Sequence, residues 1–155
     1  MKKPRILVTS ARNALHYLMR HFSEPGVTEY PEKTDTYAAI SIQDTCGGGF
    51  GFEFKKNKYC KDVLTLYFDD IEEPEHGLKL ISFPQAIAIV KFIKAHAEDV
   101  DTLLIHCFAG VSRSRAVGVF AREMLGIPPT DETDYNEYVY AMLYRVWKEL
   151  ENEDT

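Results

Sequence analysis

The string His106-Cys107-Phe108-Ala109-Gly110-Val111-Ser112-Arg113-Ser114 brings a thiol, a guanidinium and two hydroxyls together within nine residues. An apolar run, Thr102–His106, precedes it, and helical spacing takes over near Ser112. A buried strand that ends in a tight Gly-containing loop and restarts as a helix turns successive loop N–H groups inward. The new helix adds its positive end. An anion of phosphate size fits such a cradle, and the same groups favour a thiolate on Cys107 over the thiol. Arg113 can meet two oxygens of one phosphate through parallel hydrogen bonds, which Lys cannot do. Sulfur attack on a bound phosphoryl group would give a phosphocysteine, which water then hydrolyses.

Positioning such a loop requires alternating strands and helices. The residues predict strands over Arg5–Thr9, Tyr37–Ile42, Val63–Phe68 and Thr102–His106. Ala14, Leu15, Leu18, Met19 and Phe22 recur at helical spacing. Ser82 and Gln85 form a capping-box pattern with Pro84 in the first turn. Phe83, Ala86, Ile87, Val90, Ile93 and Ala97 then make an apolar stripe. Ala116, Val117, Phe120, Ala121 and Met124 continue as a helix that Gly126 and Pro128-Pro129 should stop. A last helix should open near Asp134 and bury some of Tyr138, Met142, Val146 and Trp147. This order predicts an α/β fold, a mostly parallel central sheet with helices on both faces, as one domain over residues 1–155. Sites in such sheets lie beyond the carboxyl ends of the strands. The Gly-rich stretch Cys46-Gly47-Gly48-Gly49-Phe50-Gly51 lacks the Lys and Ser/Thr of a P-loop and reads as a mobile turn or a flexible rim loop.

The nine-residue string resembles the His-Cys-x5-Arg-Ser signature of the protein tyrosine phosphatases, and most of all the small dual-specificity phosphatases. The layout of Phe83-Pro84-Gln85-Ala86-Ile87-Ala88-Ile89 followed by Leu103-Leu104-Ile105-His106 is similar to that branch too, so the likeness runs over about Val63 to Leu150. The resemblance implies the dual-specificity fold, with Cys107 as nucleophile and Arg113 as phosphate clamp. The N–H groups of Phe108, Ala109, Gly110, Val111, Ser112 and Arg113 would line the phosphate cradle. Ser114 would donate a hydrogen bond to the sulfur, and His106 would support the loop without touching substrate. Taken singly, Cys107 could be a buried structural thiol, Ser112 and Ser114 helix-start residues, and Arg115 a solvated surface group.

A phosphoester leaving group needs a proton as its bond breaks. In the resembling family an Asp just after the strand preceding the long helix supplies it. That place reads Leu66-Tyr67-Phe68-Asp69-Asp70-Ile71-Glu72-Glu73 here. If Leu66 and Phe68 point inward, Asp70 shares their period and Asp69 points the other way. Asp70 is the expected acid, then the base for water, with Asp69 as the alternative. Glu72, Glu73 and Glu75 read as a solvated acidic loop, and His76 as a surface residue.

The balance of 18 basic against 24 acidic residues, net −6, argues against nucleic acid as a partner. No segment approaches bilayer length, and the apolar run in Met1–Ser10 is too short for a signal peptide. A cytoplasmic protein without a membrane partner is therefore expected. Cys46, Cys60 and Cys107 show no metal-ligand spacing, so no metal and no cofactor is expected. The expected substrate is a phosphorylated protein or a small phosphomonoester. A short chain implies, by the resemblance, a shallow pocket open to phosphoserine and phosphothreonine as well as phosphotyrosine. Inositol phosphates, which members of the resembling family meet with Lys in this loop, are lowered by its absence from Phe108–Ser112 but stay an alternative with nucleotides, as do a phosphate-binding module with weak catalysis and a sulfur-transfer enzyme.

Overall fold

Burial along two strands dictates the architecture. In the computed structural model, which describes residues 2–22, 33–47 and 49–153, every residue of β2 (Tyr37–Gln43) and of β4 (Thr102–His106) is buried. Strands buried on both faces belong inside a covered parallel sheet. β1 (Arg5–Thr9) and β3 (Cys60–Tyr67) form the edges, giving the order β1-β4-β2-β3 with all neighbours parallel. The helices are α1 (Ala11–Arg20), α2 (Phe83–His96), α3 (Arg113–Leu125) and α4 (Glu137–Glu153).

The two-residue period of each strand sorts side chains between two cores. Ala38, Ile40 and Ile42 of β2, with Leu103 and Ile105 of β4, pack under α2, α3 and α4. Ala39 and Leu104 face the other way, toward Ala14 of α1 and the rings of Phe54 and Tyr59. The same alternation sends Cys107 to the first core and His106 to the second.

Helix starts and stops follow local chemistry. Ser82 accepts from the Gln85 N–H at 3.2 Å while Gln85 Oε1 accepts from the Ser82 N–H at 2.9 Å. Gln85 also donates to the Tyr67 carbonyl at 2.9 Å, so the capping box ties α2 to the end of β3. Gly126, at φ 68°, closes α3 in the left-handed conformation.

Three apolar stripes differ from their sequence pattern. Met19 and Phe22 are 61% and 44% exposed. The end of α1 is instead anchored by buried His21, which bonds the Tyr17 carbonyl and Asp35, each at 2.8 Å. Phe83 is exposed, whereas Ile89 and Phe92 are buried, because α2 packs on both the sheet and α4. The last helix begins at Glu137, not near Asp134, and its fully buried residues are Val139, Leu143 and Val146. Tyr138, Met142 and Trp147 flank that stripe and are partly buried.

Ser82→Ala and Gln85→Ala should each destabilise the protein by about 1 kcal/mol. The double variant should lose less than the sum, because both remove one reciprocal motif. Urea denaturation of the four proteins checks this.

Candidate active site

The loop between β4 and α3 is pressed against the turn between β1 and α1. The Ala11 N–H donates to the Phe108 carbonyl at 2.9 Å. Gly110 has φ 79°, and a Cβ there would lie 2.5 Å from the carbonyl carbon of Thr9, so only glycine fits. This bend directs the Gly110 N–H onto the Cys107 sulfur at 3.3 Å. Ser114 Oγ, from the first turn of α3, stands 3.1 Å from the same sulfur. Cys107 and Ser114 are both buried. Ser112 occupies the N-cap position of α3 but does not cap it. Its hydroxyl donates to Asp70 at 2.7 Å instead.

Arg113 is only 4% exposed, and a buried charge must be paired. Its Nη1 donates to the Phe68 carbonyl at 2.7 Å, and its Nη2 lies 2.8 Å from Asp44 Oδ1. Its Nε is buried with no hydrogen-bond partner among the described residues. The guanidinium is thus held through both of its terminal nitrogens. Arg115 reaches the Asp134 carbonyl at 2.9 Å and is three-quarters buried, not a solvated surface group.

The adjacent aspartates divide sharply. Asp69 is buried, and its carboxylate accepts from the Thr45 hydroxyl at 2.5 Å and from the amides of Lys79 at 2.8 Å and Thr45 at 3.1 Å. Burial pushes its pKa up, but the bonds from Thr45 and Lys79, with the Arg113 charge, bring it below the ordinary value. Asp70 is exposed, and its Oδ1 accepts both from Ser112 and from Asn136 Nδ2 at 2.9 Å. The inward period of Leu66 and Phe68 therefore stops before Asp70, because β3 ends at Tyr67 and Asp69 turns to pair its N–H with the Lys79 carbonyl. Asp70 meets the loop from its rim.

His106 is fully buried among Phe50, Phe52 and Phe54. Its Nδ1 lies 3.0 Å from the Cys107 carbonyl, which can only accept, so Nδ1 carries the proton. Its Nε2 then accepts from the Ser41 hydroxyl at 2.6 Å. Burial, and secondarily the Arg113 charge, lower its pKa against the opposing pull of the Cys107 carbonyl, which keeps the ring neutral near pH 7.

Four residues here had no sequence assignment. Asp44 pairs Arg113, and its only signal was its place just beyond a strand's carboxyl end. Ser41 and Gln43 are polar residues two apart within an apolar strand, a pattern that marks one buried polar face. Asn136, 2% exposed, caps α4 through the Val139 N–H at 3.0 Å while bonding Asp70 and the Ile71 carbonyl. Glu72, read as a solvated loop residue, accepts from the Glu137 N–H at 2.8 Å at the start of the same helix. Gly48 of the Gly-rich stretch lies outside the described residues. All three cysteines are free, and no group of three or more His, Cys, Asp or Glu among the described residues is arranged to hold a metal ion. No helix among those residues is long and apolar enough to cross a membrane.

Asp69→Asn should destabilise the protein by about 1–3 kcal/mol at neutral pH, since donors from two loops lose a charged acceptor. A carboxyl with a depressed pKa contributes stability that is complete above its unfolded value and lost as pH falls through the folded one. The difference between wild type and Asp69→Asn should therefore shrink below about pH 4, as urea unfolding across pH would record.

No protein-family model matches the chain, and no curated protein matches it in sequence. Among solved structures, it is similar to the crystal structure of human DUSP28, at 14% identity and a TM-score of 0.48, over 97% of this chain and 96% of that one. It is also similar to the crystal structure of Tk-PTP in its active form, at 19% identity and a TM-score of 0.44, over 98% and 93% of the two chains.

Proposed function

We propose that the protein is a cysteine-dependent phosphatase that hydrolyses phosphomonoesters, phosphotyrosine foremost, through a phosphocysteine intermediate. The observation that carries this reading is the Cys107 sulfur between the Gly110 N–H and the Ser114 hydroxyl, in a loop whose Arg113 has a buried, unpartnered Nε. These are the groups needed to hold a thiolate beside a phosphate.

The phosphoryl oxygens would be bound by the amides from Phe108 to Arg113 and by the guanidinium. The sulfur attacks phosphorus in line, forming an S–P bond as the ester P–O bond breaks. Asp70 gives its proton to the departing oxygen. Both hydrogen bonds that Asp70 accepts fall on Oδ1, so Oδ2 is the oxygen for this transfer. Water then attacks the phosphocysteine while the Asp70 carboxylate takes its proton, and the S–P bond breaks. The leaving thiolate is met by the Ser114 hydroxyl and the Gly110 N–H. His106, bonded at both nitrogens and neutral, supports the loop from behind. Asp69 is committed to Thr45 and Lys79, which favours Asp70 as the acid. The substrate is a phosphorylated protein or a small phosphomonoester in the cytoplasm, and the mechanism uses neither metal nor cofactor.

Hydrolysis of an aryl phosphate by wild type, Cys107→Ser, Asp70→Asn and Asp69→Asn tests the reading. Cys107→Ser should fall to background, and Asp70→Asn should lose about 10²–10⁴-fold in kcat. Asp69→Asn should keep a kcat near wild type at temperatures where it is folded. An inactive wild type would sink the enzyme reading in favour of a phosphate-binding module. A large kcat loss confined to Asp69→Asn would reverse the acid assignment, and a requirement for added metal would contradict the cysteine mechanism.

A further inference from the structure

The segment Phe50-Gly51-Phe52-Glu53-Phe54 carries an aromatic residue at every second position, and Gly51, at φ 86°, turns the chain between the first two. All three rings gather on the His106 imidazole, with centroids 6.2, 5.6 and 5.9 Å away in sequence order. Phe52 and Phe54 also pack on each other, and Phe54 reaches Tyr37 in the interior. Phe50 continues outward to meet the ring of Phe108 at 5.5 Å. Phe108 directly follows Cys107 and is 63% exposed, and Val111 on the same loop is 50% exposed. The cradle for a doubly charged group is thus bordered by apolar side chains.

The Gly-rich stretch reads in sequence as a mobile turn or a flexible rim loop, yet its Phe50 end is pinned by a directed polar chain. The Phe50 N–H donates to Gln43 Oε1 at 2.8 Å, and Gln43 Nε2 donates to Ser41 Oγ at 2.8 Å. Ser41 donates to His106, and His106 donates to the Cys107 carbonyl. Each donor meets an acceptor without reversal. Gln43 and Ser41 are 3% and 2% exposed, and a buried polar chain satisfied at every link fixes one arrangement. The chain runs from the backbone of Phe50 to the backbone of the nucleophile.

We propose that Phe50 and Phe108 form an aromatic wall that receives the ring of an aryl phosphomonoester, with Gln43 as the positioning residue that holds Phe50 in place. The proposal rests on the phosphatase reading and narrows it: the site selects aryl over alkyl esters instead of accepting both in a shallow pocket. An aryl ring can stack against the two rings, whereas a serine or threonine ester is too short and too narrow to cover them.

The test compares kcat/KM on one peptide carrying phosphotyrosine or phosphoserine, with inorganic phosphate as a competitive inhibitor that probes the cradle alone. Comparing each variant with wild type on the same substrate cancels the intrinsic reactivity of the two esters. Phe50→Ala and Phe108→Ala should each lower kcat/KM on phosphotyrosine about five- to tenfold, the scale of one aromatic pair. Phe50→Ala should stay within about twofold of wild type on phosphoserine and in phosphate inhibition, an interval below the weakest aromatic pair. Phe50→Tyr should retain wild-type selectivity, and Gln43→Leu should lose it in the same direction as Phe50→Ala. Equal losses on both peptides, or no loss, with phosphate inhibition intact would overturn the wall and leave the phosphatase reading standing. A wild type that hydrolyses neither peptide nor an aryl phosphate would overturn the phosphatase reading, and the wall with it.

Discussion

A guanidinium withdrawn from water needs compensation from several directions, and the burial of Arg113 organises the site. Its partners come from the carboxyl ends of adjacent strands. Gln43 and Tyr67 are register partners in the β2–β3 ladder, and the Phe68 N–H extends it to the Gln43 carbonyl at 3.2 Å. The next groups along, Asp44 and the Phe68 carbonyl, are those that hold Arg113. Parallel strands make this possible, because all their carboxyl ends emerge on one edge. The same edge carries the loop from β4, so the buried guanidinium and the Cys107 loop depend on one register.

Arg113 also enters the division of labour between Asp69 and Asp70. Against its burial, the Thr45 hydroxyl and the Lys79 and Thr45 amides hold Asp69 ionised, and the Arg113 charge adds to them. Fixing Asp69 fixes the turn after β3 and delivers Asp70 to the opposite side of it. Asn136 joins Asp70, the Ile71 carbonyl and the first turn of α4. A residue 66 positions away from Asp70 therefore sets the rim of the cradle. A buried side chain that both caps a helix and bonds a carboxylate leaves neither free to move alone.

Behind the loop, the polar face of β2 does comparable work. Ser41 and Gln43 interrupt an apolar strand, and burial makes unpaired polar groups there costly. Their hydrogen bonds satisfy His106 Nε2 and tie the Phe50 N–H to the strand. Stiffness is thus transmitted from a central strand to a glycine-rich segment whose composition alone signals freedom.

The nine residues from His106 to Ser114 contain the chemistry in the sequence itself. A thiol, a Gly bend and an Arg at short spacing are local, and their strand–loop–helix setting is written in the flanking apolar periods. The strand β4, the capping box of α2 and the stop at Gly126 are local in the same sense, since each depends on neighbours within a few residues. What the sequence could not decide lies across long separations. Asp44 on Arg113, Asn136 on Asp70 and Ser41 on His106 are separated by about 65 residues or more. The inward period of β3 pointed to Asp70, but periodicity ends with the strand, and only the contacts with Thr45 and Lys79 show which aspartate is turned in. The helical stripes of α1 and α4 shifted for a related reason: an apolar period marks a face, while the partners that cover it are chosen by packing. Local spacing determined the chemical groups, and the convergence of strand ends decided how they are held.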